Sequence, residues 1–455
     1  MFKDIGDIVE GEIIDFTHEG NGVLKIDNFA VFVAGGIIGD KVAVKIDEIK
    51  KNFAIGSITK LIEPSKDRVN NNYNIGSGEI PLVGYKYDRQ LEWKKNKVKM
   101  DLLKFAELSN VNIHDAIGMD NPYRYRNHIQ IPVGNRNGKA ILGFYGRGSH
   151  NIVDMEGSIL QPEIGDMILT IIREWINKYN IQAYDRRTKK GILRHIGIRT
   201  NDKNEAMVII VTATDYLPNS SDLIQLLNTK IKGIVSIYHN INNLQSAPTY
   251  GRKYKKLYGE DRLKDHLGDL KFNISPNSFF QVNRKQAEVL YSKAIEYLDL
   301  NKEDIVFDIY SGIGTISLFI AAKSKKVYGI ESVGAAIDDA KENAKLNNVN
   351  NVEFVLGNAE EMLPKLMDKG IKSNKIVVDP PRKGCEKEVL EAIIKISPER
   401  IVYVSCNSTT MARDVKILLE SGYKVGEVQP VDMFPHTAHV ESIILMTYCG
   451  SEGKK

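Results

Sequence analysis

The chain has 455 residues, 42% hydrophobic and 26% charged, with a formal net charge of +4. That is ordinary globular composition with room for two to four domains. No apolar run reaches the length of a membrane span, and MFKDIGDIVEGEI (1–13) has acids where a signal peptide needs an apolar stretch, so a cytoplasmic protein is expected. Three cysteines (Cys385, Cys406, Cys449) without a CxxC spacing exclude a disulfide framework and a cysteine-built metal site.

Residues 1–62 read as five short strands, DIVEGEIIDFT, HEGNGVLKID, FAVFVAG, DKVAVKIDEIKK and FAIGSITKLIE, punctuated by Gly20, Gly22, Gly35, Gly36 and Gly39. Alternation such as VAVKI predicts a small OB-like β-barrel, an architecture suited to nucleic acid. Residues 63–79 are polar and form a linker. From 80 to 270, a helical stretch (YDRQLEWKKNKVKMDLLKFAEL) and strands (HIQIPVG, AMVIIVTAT, GIVSIYHNIN) predict an α+β domain.

This central domain holds three basic clusters. Five Lys/Arg (Arg124, Arg126, Arg136, Lys139, Arg147) and no acid lie between Pro122 and Arg147, and six with no acid lie between Arg186 and Arg199. The third is GRKYKKLYG (251–259), with Tyr254 and Tyr258 interleaved. Cations with aromatics among them suit a phosphate backbone and unstacked bases, so RNA or DNA is the expected partner. From 271 to 455 strand and helix alternate strictly, which predicts an α/β, largely parallel, doubly wound Rossmann-like sheet.

Several strand ends in that last part carry chemistry. In IVFDIYSGIGTISLFIAA (305–322) a strand reaches Asp308, a Gly312-x-Gly314 turn follows, and a helix starts near Thr315. The next strand ends on Glu331, placed to bind two ribose hydroxyls. Ser317 occupies the position where a dinucleotide fingerprint requires glycine, so another adenosine-bearing ligand is expected in place of NAD. Asp379 ends the strand in KIVVDPPRKG, and Cys406 ends the one in RIVYVSC. If YKVGEVQPVD and VESIILMTY pair as an antiparallel hairpin, Glu441 arrives at the same sheet edge. A lone cysteine at a strand end is ordinarily a small core residue; gathered with these acids it becomes a nucleophile candidate. His436 and His439, in the loop before Glu441, shape the loop or touch RNA; Cys385 and Cys449 are assigned to packing.

The motifs DIYSGIGT, GIES, VVDPPRKG, YVSCNSTTMARD and DMFPHTAHVES resemble those of the S-adenosylmethionine-dependent RNA uracil-5-methyltransferases, and the N-terminal barrel resembles a TRAM domain. The resemblance covers nearly the whole chain and is nearest the Gram-positive branch acting on 23S rRNA, some members of which modify two uridines. It implies a C-terminal Rossmann-like methyltransferase fold beside the α+β domain and the barrel. It also implies that Gln281, Tyr310, Glu331 and Asp379 hold S-adenosylmethionine, with Cys406 as nucleophile and Glu441 as base. Many relatives hold a [4Fe–4S] cluster on four cysteines, whose places fall here on Asn71, Ser77, Ile80 and Ser158, so no iron–sulfur cluster and no other metal are expected. The implied partner is a flipped-out uridine of 23S rRNA, bound by a monomer. A tRNA uridine enzyme and a non-catalytic rRNA-assembly factor are the alternatives; the intact Cys406, Asp379 and Glu441 argue against the latter. A DNA cytosine methyltransferase is disfavoured because Ser405, not proline, precedes the cysteine. An amino-methylating enzyme is disfavoured because Arg382 follows DPP where an aromatic is expected.

Overall fold

The computed structural model describes residues 4–69, 78–146, 151–244 and 248–450. Ile8–Phe16, Gly22–Ile26, Phe29–Val33, Lys41–Ile49 and Phe53–Glu63 form a closed barrel in the order first, second, third, fifth, fourth. Alternation turns Ile13, Leu24, Val31, Val44 and Ile46 inward as its core. Asp27 and Asn28, both at positive φ (49° and 67°), make the two-residue loop that lets the second and third strands pair as a hairpin. Beyond the barrel, Arg68 donates to buried Asp40 (Nε to Oδ1, 2.9 Å), tying the start of the following segment to it.

The central region is a seven-stranded sheet in the order Lys253–Gly259, Ile234–Ile241, Ala206–Thr212, Leu193–Thr200, His128–Arg136, Lys139–Tyr145 and Ile152–Asp154. Helices Glu163–Lys178 and Ser220–Lys230 cover one face, with Trp175 and Ile172 fully buried against Ile196, Val208 and Ile210. The other face presents Met207, Ile209 and Val211 to Phe272, Phe280 and Leu290 of the C-terminal part. The sheet is therefore apolar on both sides, which explains the continuous hydrophobic run AMVIIVT.

The C-terminal sheet has eight strands: Val352–Leu356, Lys326–Glu331, Ile305–Ile309, Lys375–Val378, Arg400–Ser405, Glu441–Tyr448, Tyr423–Val431 and Asn112–Ile113. The first five run parallel, and Glu441–Tyr448 pairs antiparallel with both neighbours, the hairpin expected from the sequence.

Three segments pack differently from their sequence position. Helix Tyr87–Ala106 lies on the C-terminal part, with Val98, Leu102 and Ala106 against Met411, Ala412, Val415 and Leu418. Asn112–Ile113 then adds to the edge of that sheet beside Val428. The reason is burial: helix Ser408–Glu420 carries an apolar stripe that needs a second helix over it. Hairpin Leu263–Leu267 with Leu270–Ile274 also joins the C-terminal core through Leu263, Leu267 and Phe272.

The basic clusters are only partly a surface. Arg194 and Arg199 are buried, donating to the carbonyls of Asn242 (2.6 Å) and Ser278 respectively, because each satisfies loop carbonyls that strands leave unpaired. Lys253 and Lys255 pair with Asp215, and Lys256 with Asp261, which offsets much of the third cluster. Arg186, Arg187, Lys189 and Lys190 are exposed on one turn and hold no ion pair among the described residues. Arg147 lies outside the described residues. Among the described residues no helix is long and apolar enough to cross a membrane.

Candidate active site

Register brings the candidate residues together. Ile309 pairs with Ile330 on one side and Val378 on the other, so Tyr310, Glu331 and Asp379 leave three adjacent parallel strands at one level. On the far side Ser405 pairs antiparallel with Ser442, and the same register sets Cys406 across from Glu441. These side chains, with Gln281, line one cavity of about 900 Å³. All six residues singled out from sequence are on its wall.

At the Gly-x-Gly turn, Tyr310 (φ 69°), Gly312 (φ 55°) and Gly314 (φ 82°) adopt left-handed backbone. The amides of Tyr310 and Ser311 both donate to Ile330 O at 3.0 Å, folding the strand end back before helix Thr315–Ala321 begins. A Cβ on Gly314 would stand 2.6 Å from the Phe354 ring, so glycine is required there. Glu331 accepts from the amides of Gly312 (3.1 Å) and Val333 (2.8 Å), which fixes its carboxylate on the wall with acceptor capacity to spare. At the same turn Ser311 Oγ is buried without a hydrogen-bond partner among the described residues. A preset acceptor and an aromatic on one wall fit a nucleoside with a vicinal diol.

The Tyr310 hydroxyl meets the thiol of Cys385, which is buried as packing, and burial pushes that thiol up to about 12. Cys449 is exposed at the end of the last strand, so its assignment to packing does not hold. Residues Glu441–Leu445 fill the buried centre of that strand, and beyond Met446 it runs out to the surface.

The electrostatics of the cavity are dominated by burial. Asp308 is buried under the turn with Ser317 Oγ donating to it at 2.5 Å, and burial raises its carboxyl to about 7. Asp379 is raised by burial and by the Asp308 charge; Glu441 is raised by burial and by the Asp379 charge. Burial and the mutual repulsion of the two carboxyls both favour their protonated forms. The Cys406 thiol is pushed up to about 11, by burial first and then by the charges of Glu441 and Asp379, with Arg382 opposing.

Arg382 thus brings positive charge to the cavity wall, which Lys383 also lines, and the sequence reading assigned it no role in catalysis. Its signal was its place one residue after the Asp-Pro-Pro turn. Its loop is fastened to the helix that follows Cys406: Asn407, the N-cap of helix Ser408–Glu420, accepts from Thr409 N and donates to Arg382 O at 2.9 Å. Thr410 Oγ1 donates to the same carbonyl at 3.2 Å. His439 also lines the cavity, whereas His436 is buried and stacked on Tyr123, and burial lowers both imidazoles to about 4.

Among the described residues one group has metal-ligand spacing, Asp202, Asp265 and His266, none of which lines this cavity. Of the four positions matched to cluster cysteines, Ile80 is buried and Ser158 Oγ donates to Glu79 at 2.6 Å; Asn71 and Ser77 lie outside the described residues.

Residues 240–448 match the family model for tRNA (uracil-5-)-methyltransferases, and residues 3–59 match that of the TRAM domain. An uncharacterized RNA methyltransferase of Clostridium tetani is 48% identical, over 96% of this chain and 95% of its own. One of Caldanaerobacter subterraneus is 45% identical over 97% and 98%. Among solved structures, the tRNA (uracil-54, C5)-methyltransferase of Pyrococcus abyssi in complex with S-adenosyl-L-homocysteine superposes with a TM-score of 0.78. It is 28% identical, covering 96% of this chain and 99% of that one. Barrel, strand-end acids and family matches agree, and the chain belongs to the RNA uracil-5-methyltransferases.

Proposed function

We propose that the chain methylates C5 of a uridine in 23S rRNA through a covalent bond between Cys406 and C6, with S-adenosylmethionine as methyl donor. The observation that carries the reading is the placing of Cys406 opposite Glu441 in the cavity that Tyr310, Glu331, Asp379 and Gln281 also line. Glu331 holds the ribose diol, Tyr310 packs on the adenosine, and Gln281 and Asp379 hold the methionine end. Bound S-adenosylmethionine supplies an electrophilic methyl group and one positive charge, which favours both thiolate and carboxylate in this buried site.

C5 of uracil is too weak a nucleophile to take a methyl group unaided. Cys406 Sγ, its proton lost to water, bonds to C6, and the C5=C6 electron pair moves toward C5, which takes the methyl while the pair of the broken methyl–sulfur bond leaves with S-adenosylhomocysteine. Glu441 then removes the C5 proton, the freed pair restores C5=C6, and the C6–S bond breaks with its pair returning to Cys406 Sγ. The exposed turn at 186–190 and the barrel grip flanking RNA while the target base is flipped into the cavity.

The motif resemblance to the Gram-positive rRNA branch supports 23S rRNA as the target. A tRNA uridine is the second reading, favoured by the Pyrococcus abyssi neighbour, whose full length this chain also spans. Two measurements test these statements. Purified enzyme is mixed with RNA carrying 5-fluorouridine, whose C5 cannot lose a proton; a protein–RNA adduct stable to denaturing gels is expected, and Cys406→Ala should form none. Mapping 5-methyluridine in rRNA and tRNA of a deletion strain assigns the substrate, and loss from tRNA alone would overturn the rRNA target.

A further inference from the structure

The nucleophile and the base come from different loops, and one element touches the chain beside each of them. Helix Tyr87–Ala106 lies far from both in sequence. Near its start, Gln90 is fully buried: Nε2 donates to the carbonyls of Leu82 (3.0 Å) and Tyr85 (2.8 Å), and Oε1 accepts from His436 N (3.0 Å). One turn on, Lys94 and Asp432 form an ion pair at 2.5 Å with both side chains 0% exposed. Lys94 Nζ also donates to Phe434 O (3.1 Å), and Asp432 Oδ1 accepts from Phe434 N (3.2 Å). Both contacts therefore fall on the 432–436 loop that leads into Glu441.

A further turn on, the same helix grips the other partner. Lys97 Nζ donates to Ser408 Oγ and to Asp101 Oδ2, both at 2.9 Å, and Ser408 Oγ donates to Asp101 at 2.5 Å. Ser408 is the first residue of the helix that starts two positions after Cys406. Spacing of four along one helix (Gln90, Lys94) and of three and four (Lys94, Lys97, Asp101) places all these groups on one face.

We propose that helix Tyr87–Ala106 is the strut that sets Glu441 against Cys406, with Lys94 positioning the loop of the base and Lys97–Asp101 positioning the helix of the nucleophile. The inference rests on the covalent reading above. A fully buried charge pair is an expensive way to hold two segments together, since well-packed apolar residues stabilise as much or more. What the pair supplies in addition is direction: Lys94 donates at once to Asp432 and to Phe434 O, which fixes the path of the loop. None of these residues touches the reacting atoms; they act through Glu441 and Cys406.

The strut makes the two halves of the reaction separable. Lys94→Met combined with Asp432→Asn removes both charges, so no buried charge is left unpaired and the fold is retained. Its adduct on 5-fluorouridine RNA is expected to form within about threefold of the wild-type rate, since the nucleophile's anchor is intact. On ordinary uridine RNA its turnover is expected to fall tenfold or more, with the covalent adduct accumulating because proton removal has slowed. Asp101→Asn with Ser408→Ala is expected to do the converse: slower adduct formation on either RNA, no accumulation, and an unchanged KM for S-adenosylmethionine. Thermal melts run alongside separate these effects from loss of fold. If wild-type enzyme forms no adduct on the fluorinated RNA, the covalent reading fails. If wild-type forms it and both double variants slow adduct formation and turnover by equal factors, or change neither, the strut is merely structural and the inference is overturned.

Discussion

The thiol of Cys406 offers a quantitative handle on the site before any RNA is added. Its pKa is pushed from near 9 up to about 11, with burial the largest cause and the charges of Glu441 and Asp379 next. At pH 8 such a thiol is ionised to roughly one part in 1000, and each pH unit gained raises that fraction about tenfold. The thiolate is the form that reacts with iodoacetamide. Alkylation of Cys406 in the free enzyme should therefore be about 100-fold slower at pH 8 than for an unperturbed cysteine and climb log-linearly to about pH 10. Glu441→Gln removes one of the two carboxylate charges while keeping the shape. Because that charge is a smaller cause than burial, the variant should alkylate roughly three- to tenfold faster above pH 8, where wild-type Glu441 is ionised. Arg382→Met removes the opposing cation and should slow the reaction by a similar factor. Peptide mass spectrometry separates Cys406 from exposed Cys449, which can also be replaced by serine. A Glu441→Gln rate equal to or below wild type across pH 8–10 would refute the claim that the base sits in electrostatic contact with the nucleophile.

Other outcomes follow from the same structure. Glu441→Gln should accumulate the covalent adduct on ordinary uridine RNA, seen as a shifted band on a denaturing gel, because methyl transfer outruns proton removal. Reversing charge at Arg186, Arg187, Lys189 and Lys190 should weaken RNA binding and flatten its salt dependence without altering affinity for S-adenosylmethionine, measured by filter binding and calorimetry. Gly314→Ala should cost on the order of 1–3 kcal/mol, from the left-handed backbone and the Phe354 contact, and should weaken binding of S-adenosylmethionine. Lys94→Met alone leaves Asp432 buried without its cation and should lose roughly 3–5 kcal/mol in a urea melt, most of which Asp432→Asn should recover. Protein purified without oxygen should be colourless and free of iron.

Local signals carried most of the fold because each was a short-range necessity. The barrel's alternation, the two glycines after Ile309, and the strand-ending acids all belong to the geometry of their own segments. What escaped was decided by surfaces that meet only after folding. Helix Tyr87–Ala106 has a weak apolar stripe, and nothing in its own residues says that the complementary stripe is more than 300 positions away on helix Ser408–Glu420. Arg194 and Arg199 looked like surface cations by composition, yet loop carbonyls from strands far along the chain draw them inside. Arg382 was visible as a residue but not as a charge in the cavity, because its effect depends on the hairpin that returns Glu441 to the same edge. A site assembled from strand ends is therefore readable in the candidate groups that line it, each placed by the end of its own strand. The spacing between those groups is set by buried polar pairs such as Lys94 with Asp432, and sequence separation hides these.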